Sequence, residues 1–317
     1  MSIAHHIREI GRGKEGARAL NQVKAYDLMS QVLDGHVTDL ELGAFAIAMR
    51  IKGESVAELA GFLNAAHERC LSVRSRAPTV VLPSYNGARK LPNLTALLAL
   101  LLAHKGVQVL VHGPEHEVGR VTTAAIFHDL GLPFAGDALG IEHAWARREP
   151  VFIRTEALCP PLAKLLSVRQ VIGLRNSGHT IAKLLMPCRD GPAMRVVNHT
   201  HPEYAALQHA FLGHVAADAM LMRGTEGEPV ADPRRAPKLD IYIAGELRPE
   251  LSSSAQDGVL SALPLLPRSH DAAATALYIQ SVVSGEKPAP APLLQQVDCL
   301  IRGLAAIARE DTNGKSA

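Results

Sequence analysis

Residues 79–111 run TVVLPSYNGARKLPNLTALLALLLAHKGVQVLV. Thr79 to Leu82 is a short β-branched run, a polar loop follows, and residues 93–104 form an apolar helical stretch ended by Gly106. Val107 to Val111 is then apolar apart from Gln108. Strand, loop, helix and strand in that order make a parallel βαβ unit, because parallel strands need a crossover and the crossover is usually a helix. A strand covered by helices on both faces has no polar side, which accounts for the missing alternation.

The same alternation continues toward the C-terminus. Strands are expected at Val151–Arg154, Met194–Asn198, Ala219–Arg223 and Leu239–Ala244, with helical segments between several of them. The larger part of the chain is therefore α/β. Residues 160–187 interrupt it with two helical segments separated by Asn176-Ser177-Gly178, and Pro264, Pro267 and the proline-rich stretch 288–292 punctuate the C-terminal helices. The last eight residues are polar and are expected to fray. The first 70 residues read as helices only. Thr38-Asp-Leu-Glu41 and Ser55-Val-Ala-Glu58 are capping boxes, in which hydroxyl and carboxylate satisfy backbone donors reciprocally.

Composition narrows the class. Hydrophobic residues at 47% permit a large core, while aromatics at 4% leave it to Leu, Val, Ile and Ala. The four cysteines, at 70, 159, 188 and 299, form no C-x-x-C pair, so neither a zinc site nor a disulfide framework is indicated. Isolated thiols suit a reducing compartment, and the N-terminus carries no apolar signal-like run, so a soluble cytoplasmic protein is expected. The most apolar window, Leu94 to Ala103, is half the length needed to cross a bilayer.

Residues 20–68 resemble the helical N-terminal domain of the anthranilate phosphoribosyltransferase and nucleoside phosphorylase class. The carriers are Leu33-Asp-Gly35, Thr38-Asp39, Ala44-Phe45, the run from Arg50 to Ser55, and Glu58-Leu-Ala-Gly61. The order of later segments is similar too, so the resemblance covers nearly the whole chain. It implies a small all-α domain of residues 1–72, completed by about 158–188, and a larger α/β domain of 73–157 and 189–317 with a mostly parallel sheet. It also implies substrates in a cleft between the domains, and homodimers formed through the helical domain.

The chain departs from that family where the family binds phosphoribosyl pyrophosphate. The glycine-rich loop whose amides hold the pyrophosphate corresponds to Pro83-Ser84-Tyr85-Asn86-Gly87, with a proline, a bulky tyrosine and one glycine. On this reading a phosphate is not cradled there in the usual way. Asn93 and Thr95 match the following polar positions, so the local fold is expected to survive. The next motif becomes His112-Gly113-Pro114, with proline where the family has the asparagine that holds the aromatic acid, and the serine-rich loop is reduced to Gly119-Arg-Val-Thr122-Thr123. The adjacent Asp-Glu pair that holds magnesium appears as Glu226-Gly227, with Glu228 as a weak substitute ligand. His112 is expected to orient its loop rather than to act as acid or base. No cofactor is expected; Mg²⁺ enters only if transferase activity persists.

Charge is concentrated elsewhere. Residues 161–195 hold six basic residues (Lys164, Arg169, Arg175, Lys183, Arg189 and Arg195) against Asp190 alone, which gives +5 where the whole chain has +2. The family's cleft-lining helices lie at this position, and Arg89 and Lys90 sit on the altered first loop. Arg234 and Arg235 are candidates to extend the positive surface. Cations without magnesium ligands suit a polyanion, since Lys and Arg displace the counterions of phosphates. Arg175-Asn-Ser-Gly-His-Thr-Ile-Ala-Lys183 and Asp232-Pro-Arg-Arg235 resemble the YbiB-type subgroup of the scaffold, which implies nucleic-acid binding rather than catalysis.

The expected interface is therefore Lys164, Arg169, Arg175, Asn176, His179, Lys183, Arg189, Arg89 and Lys90. Plainer readings stand beside it. A run of like charge is usually a solvated face, and Ser177 to Thr180 is also simply a helix start. Tyr85 either stacks on a base or packs, and His199-Thr-His201 is either a pair of metal ligands or a pair of turn histidines. The alternative function is a phosphoribosyltransferase or related glycosyltransferase acting on another acceptor. A regulatory subunit is a third reading without specific support.

Overall fold

A computed structural model describes residues 2–13 and 15–314, and the side chains of residues 2–13 and 15–310. The chain divides into two compact units, Met1–Leu71 with Thr155–Pro187, and Ser72–Arg154 with Cys188–Ala317.

The first unit is all helical: α1 (Ala4–Ile10), α2 (Gln22–Leu33), α3 (Asp39–Lys52), α4 (Val56–His67), α8 (Thr155–Leu158), α9 (Pro160–Ile172) and α10 (Ser177–Ala182). Both expected capping boxes form. Glu58 does more than cap. It is fully buried, accepts from the Leu20 amide at 3.0 Å and pairs with the Lys52 ammonium at 2.7 Å, so it ties three segments together. The crossing into this unit falls at Thr155 rather than 158, because α8 opens immediately after the preceding strand ends at Arg154.

The second unit contains β1 (Val73–Arg74), β2 (Thr79–Pro83), α5 (Thr95–His104), β3 (Gln108–Gly113), α6 (Thr123–Asp129), β4 (Phe134–Ala135), α7 (Ala138–Ala146) and β5 (Val151–Arg154). It continues with β6 (Cys188–Arg189), β7 (Ala193–His199), α11 (Glu203–His214), β8 (Ala219–Arg223), β9 (Leu239–Ile243), β10 (Glu246–Leu247), α12 (Ala272–Val283) and α13 (Ala291–Gly314). The main sheet has eight strands in the order β10-β9-β8-β7-β2-β3-β5-β4. Pairing from β8 to β4 is parallel, and β9 and β10 are antiparallel. β1 and β6 form a separate parallel pair.

Strands β2 and β7 are buried along almost their whole length, as the unbroken apolar runs required. Because β2 lies mid-sheet, the loop that leaves it at Ser84 starts among buried neighbours. α13 continues to Gly314, into the last eight residues, and 315–317 lie outside the described residues. Among the described residues no helix is long and apolar enough to cross a membrane.

Candidate functional site

The loop after β2 holds a set of anion donors. The amides of Asn86 and Gly87 each donate to Glu228 Oε1 at 2.8 Å. The Ser84 hydroxyl donates to Glu228 Oε2, joined by the Thr123 hydroxyl at 3.2 Å and the Asn93 amide at 3.4 Å. Asn93 also accepts from the Thr95 amide at 3.2 Å, which fixes the start of α5. Glu228 is 1% exposed, so these five donors and not water satisfy its oxygens.

Glu226 does the same one step along. Its Oε2 accepts from the successive amides of Arg89, Lys90 and Leu91 at 2.9, 3.0 and 3.3 Å, a nest of backbone donors. Burial alone raises the Glu226 pKa, but these three amides outweigh it and hold the carboxyl below the usual value. Between the two acids, Gly227 has φ +88°, and a Cβ there would lie 1.7 Å from Asn86 Nδ2. Only glycine lets the 224–228 turn press onto the β2 loop this closely.

These contacts give Ser84, Asn86 and Gly87 partners that the sequence did not show. The donors are present, and the chain's own carboxylates engage them. They also bear on magnesium: a hard cation needs carboxylate oxygens facing it, and both oxygens of Glu228 and one of Glu226 face N–H or O–H donors. Among the described residues, the group of three possible ligand side chains lies elsewhere, at His5, His6 and Asp27, where His6 Nε2 lies 2.8 Å from the Asp27 carboxylate. His199 and His201 do not join such a group.

Tyr85 is buried, edge-on to His112 with ring centres 5.4 Å apart, and its hydroxyl meets His112 Nδ1 at 2.9 Å. It is packed and does not offer a face for base stacking. Burial pushes the His112 pKa down to about 3, so the imidazole is neutral and works as a structural partner of the loop. Gly113 follows because a Cβ there would lie 1.8 Å from the Ser84 carbonyl oxygen.

The six basic residues of 161–195 divide between the units. Lys164 on α9 is exposed; Arg169, Arg175 and Lys183 are half-buried in the helical unit. Arg189 is exposed on β6, in the α/β unit, as are Arg89 and Lys90. Arg195 is buried within β7, where desolvation lowers its pKa to about 10, so it is not a surface cation. Asn176 is committed to structure: its side chain accepts from the Gly178 amide at 3.0 Å and donates to the Leu165 carbonyl at 2.8 Å. That corrects its expected place among the ligand contacts. His179 is pushed down to about 4, first by burial and then by the charges of Arg175, Arg169 and Lys183.

Comparison with known proteins agrees with this architecture. A model of the glycosyl transferase family helical bundle domain matches residues 4–70. An uncharacterized protein, YbiB of Escherichia coli K12, is 40% identical over 298 residues, covering 93% of this chain and 92% of that protein. The chain belongs to the YbiB family. Beyond the YbiB family, the anthranilate phosphoribosyltransferase of Symbiobacterium thermophilum is 26% identical over 226 residues, 70% of this chain and 64% of the enzyme. The crystal structure of the Thermus thermophilus enzyme aligns with a TM-score of 0.66 at 22% identity, over 96% of this chain and 93% of that one. The Saccharomyces cerevisiae enzyme, in complex with PRPP and Mg, gives 0.63 at 10% identity, over 98% of both chains. The scaffold of a YbiB protein is therefore that of a phosphoribosyltransferase.

Proposed function

We propose that this chain binds nucleic acid without sequence preference, through the basic side chains of α9, α10 and the turn between them, and does not transfer phosphoribosyl groups. The observation that carries the proposal is the run of Lys164, Arg169, Arg175 and Lys183 on and beside α9 and α10, with no acidic residue between positions 161 and 189; that concentration of positive charge favours a polyanion. The carboxylates in the β2 loop support the second half, since the donors that serve diphosphate in the enzymes are engaged by Glu228 and Glu226.

Oligonucleotide binding measured by fluorescence anisotropy tests the first half. Arg175→Glu and Lys183→Glu are expected to weaken binding to all sequences alike, with circular dichroism confirming that each variant is folded. Calorimetry with phosphoribosyl pyrophosphate and Mg²⁺ tests the second. No heat at millimolar ligand is expected; saturable heat favours a transferase with another acceptor.

The proposal includes a homodimer. The helical unit carries an apolar groove of about 560 Å³ between α1 and α3, formed by Ile7, Ile10, Ala44, Ile47 and Ile51. Leu40 and Ile51 beside it are largely exposed. A second copy covering this groove would double the cations offered to one strand and add avidity. The proposal also includes a cytoplasmic location, where such a ligand is met.

A further inference from the structure

The α/β unit contains a cavity of about 820 Å³ that borders the Glu226 nest and is built without any residue of α9 or α10. It opens at the C-terminal ends of the parallel strands β7 and β8, at His199 and Arg223, beside the first turns of α11. In open α/β sheets this edge is where ligands collect.

The charges around the cavity decide what fits. Asp232 is paired with Arg234 at 2.9 Å, Asp240 with Lys238 at 2.9 Å, and Glu226 is held by its amide nest. That leaves Lys90, Arg223 and Arg235, each exposed and in no salt bridge among the described residues, against the exposed Asp257 and the nest-held charge of Glu226. Three such cations lining one cavity favour an anion, and guanidinium groups match phosphate oxygens.

The floor is different. His199 is half-buried, and burial followed by the nearby Arg223 lowers its pKa, so it presents a neutral ring. His199 Nδ1, buried in this lining, has no hydrogen-bond partner among the described residues. Buried orphans of this kind are rare in folded proteins and mark places where a polar ligand or water belongs. The volume is in the range of small-molecule sites and far larger than a bare phosphate needs.

We propose that this cavity binds a nucleoside monophosphate, free or as the 5′-phosphorylated end of a strand, with Arg223 and Arg235 on the phosphate and the His199 side on the base or sugar. Calorimetry on the full chain with AMP, adenosine, inorganic phosphate and ribose 5-phosphate tests it. AMP should bind saturably and more tightly than any of the three fragments. Arg223→Ala and Arg235→Ala should each weaken AMP by about tenfold, the usual effect of losing one charge-assisted contact. A 5′-phosphorylated trinucleotide that competes with AMP, where its 5′-hydroxyl counterpart does not, assigns the site to strand ends; AMP alone assigns it to free nucleotide. Lys183→Glu should leave AMP binding unchanged, so failure here is separable from failure of the α9–α10 reading. No heat with millimolar AMP, equal binding of phosphate and AMP, or indifference to both arginine variants overturns the proposal.

Discussion

Glu228 shows how one side chain can engage a whole set of anion donors. Its carboxylate takes two loop amides, two hydroxyls and a side-chain amide, all donors suited to phosphate oxygens. Removing it leaves those donors buried and unpaired, which costs about 3 kcal/mol or more. Glu228→Ala should therefore lower the urea midpoint substantially, while Glu228→Gln, which keeps an acceptor for the Asn86 and Gly87 amides, should lower it less. Equal stability of wild type and Glu228→Ala would contradict the contact. The sequence showed Glu226 and Glu228 only as a worn magnesium motif. Their true partners lie about 140 residues away, and the enabling signal was Gly227, whose missing Cβ admits Asn86.

His179 gives a pH test. Its folded pKa is about 4, below the usual value near 6.5, so the unfolded chain binds the proton first. The stability contributed by this group is present above about pH 6.5 and is lost as pH falls toward about 4. His179→Gln should flatten that part of the urea-midpoint profile. Oligonucleotide binding neutralises Arg175, Arg169 and Lys183, so the His179 titration followed by NMR should move upward in the complex. An unmoved titration would place the strand elsewhere.

Among the elements, legibility followed sequence distance. The starts of α3 and α4 were readable because a capping box is closed within three residues. Ser55→Ala should cost about 1 kcal/mol by loss of the cap, and Glu58→Ala about 3–5 kcal/mol by stranding Lys52, both measurable as shifts in thermal midpoint. The strands were readable from apolar runs, and that same signal corrects one charge. Arg195 stands between Met194 and Val196 in a run buried on both faces, so it belonged with β7 and not with the basic segment. Asn176 was misread for a similar reason: asparagine ahead of a helix is a cap before it is a ligand contact. Its partner Leu165 is eleven residues away on another helix, which no local pattern reveals.

For the molecule as a whole, the family was legible because the helical-domain motifs and the order of strands survive together. The fate of the site was not, because loops from both ends of the α/β unit decide it. This chain thus keeps the phosphoribosyltransferase scaffold, engages the amides of its β2 loop with its own acids, and carries Lys164, Arg169, Arg175 and Lys183 on and beside α9 and α10. If two copies associate through the α1–α3 groove, sedimentation should give a dimer that Ile47→Glu converts to monomer, together with weaker binding of long strands through lost avidity.

The most direct test of nucleic-acid binding is oligonucleotide affinity as a function of salt. Four engaged phosphates predict a fall of roughly 100-fold between about 50 and about 200 mM salt, alike for unrelated sequences, with a shallower slope for Lys183→Glu. An affinity indifferent to salt, or no binding at about 50 mM, would contradict it.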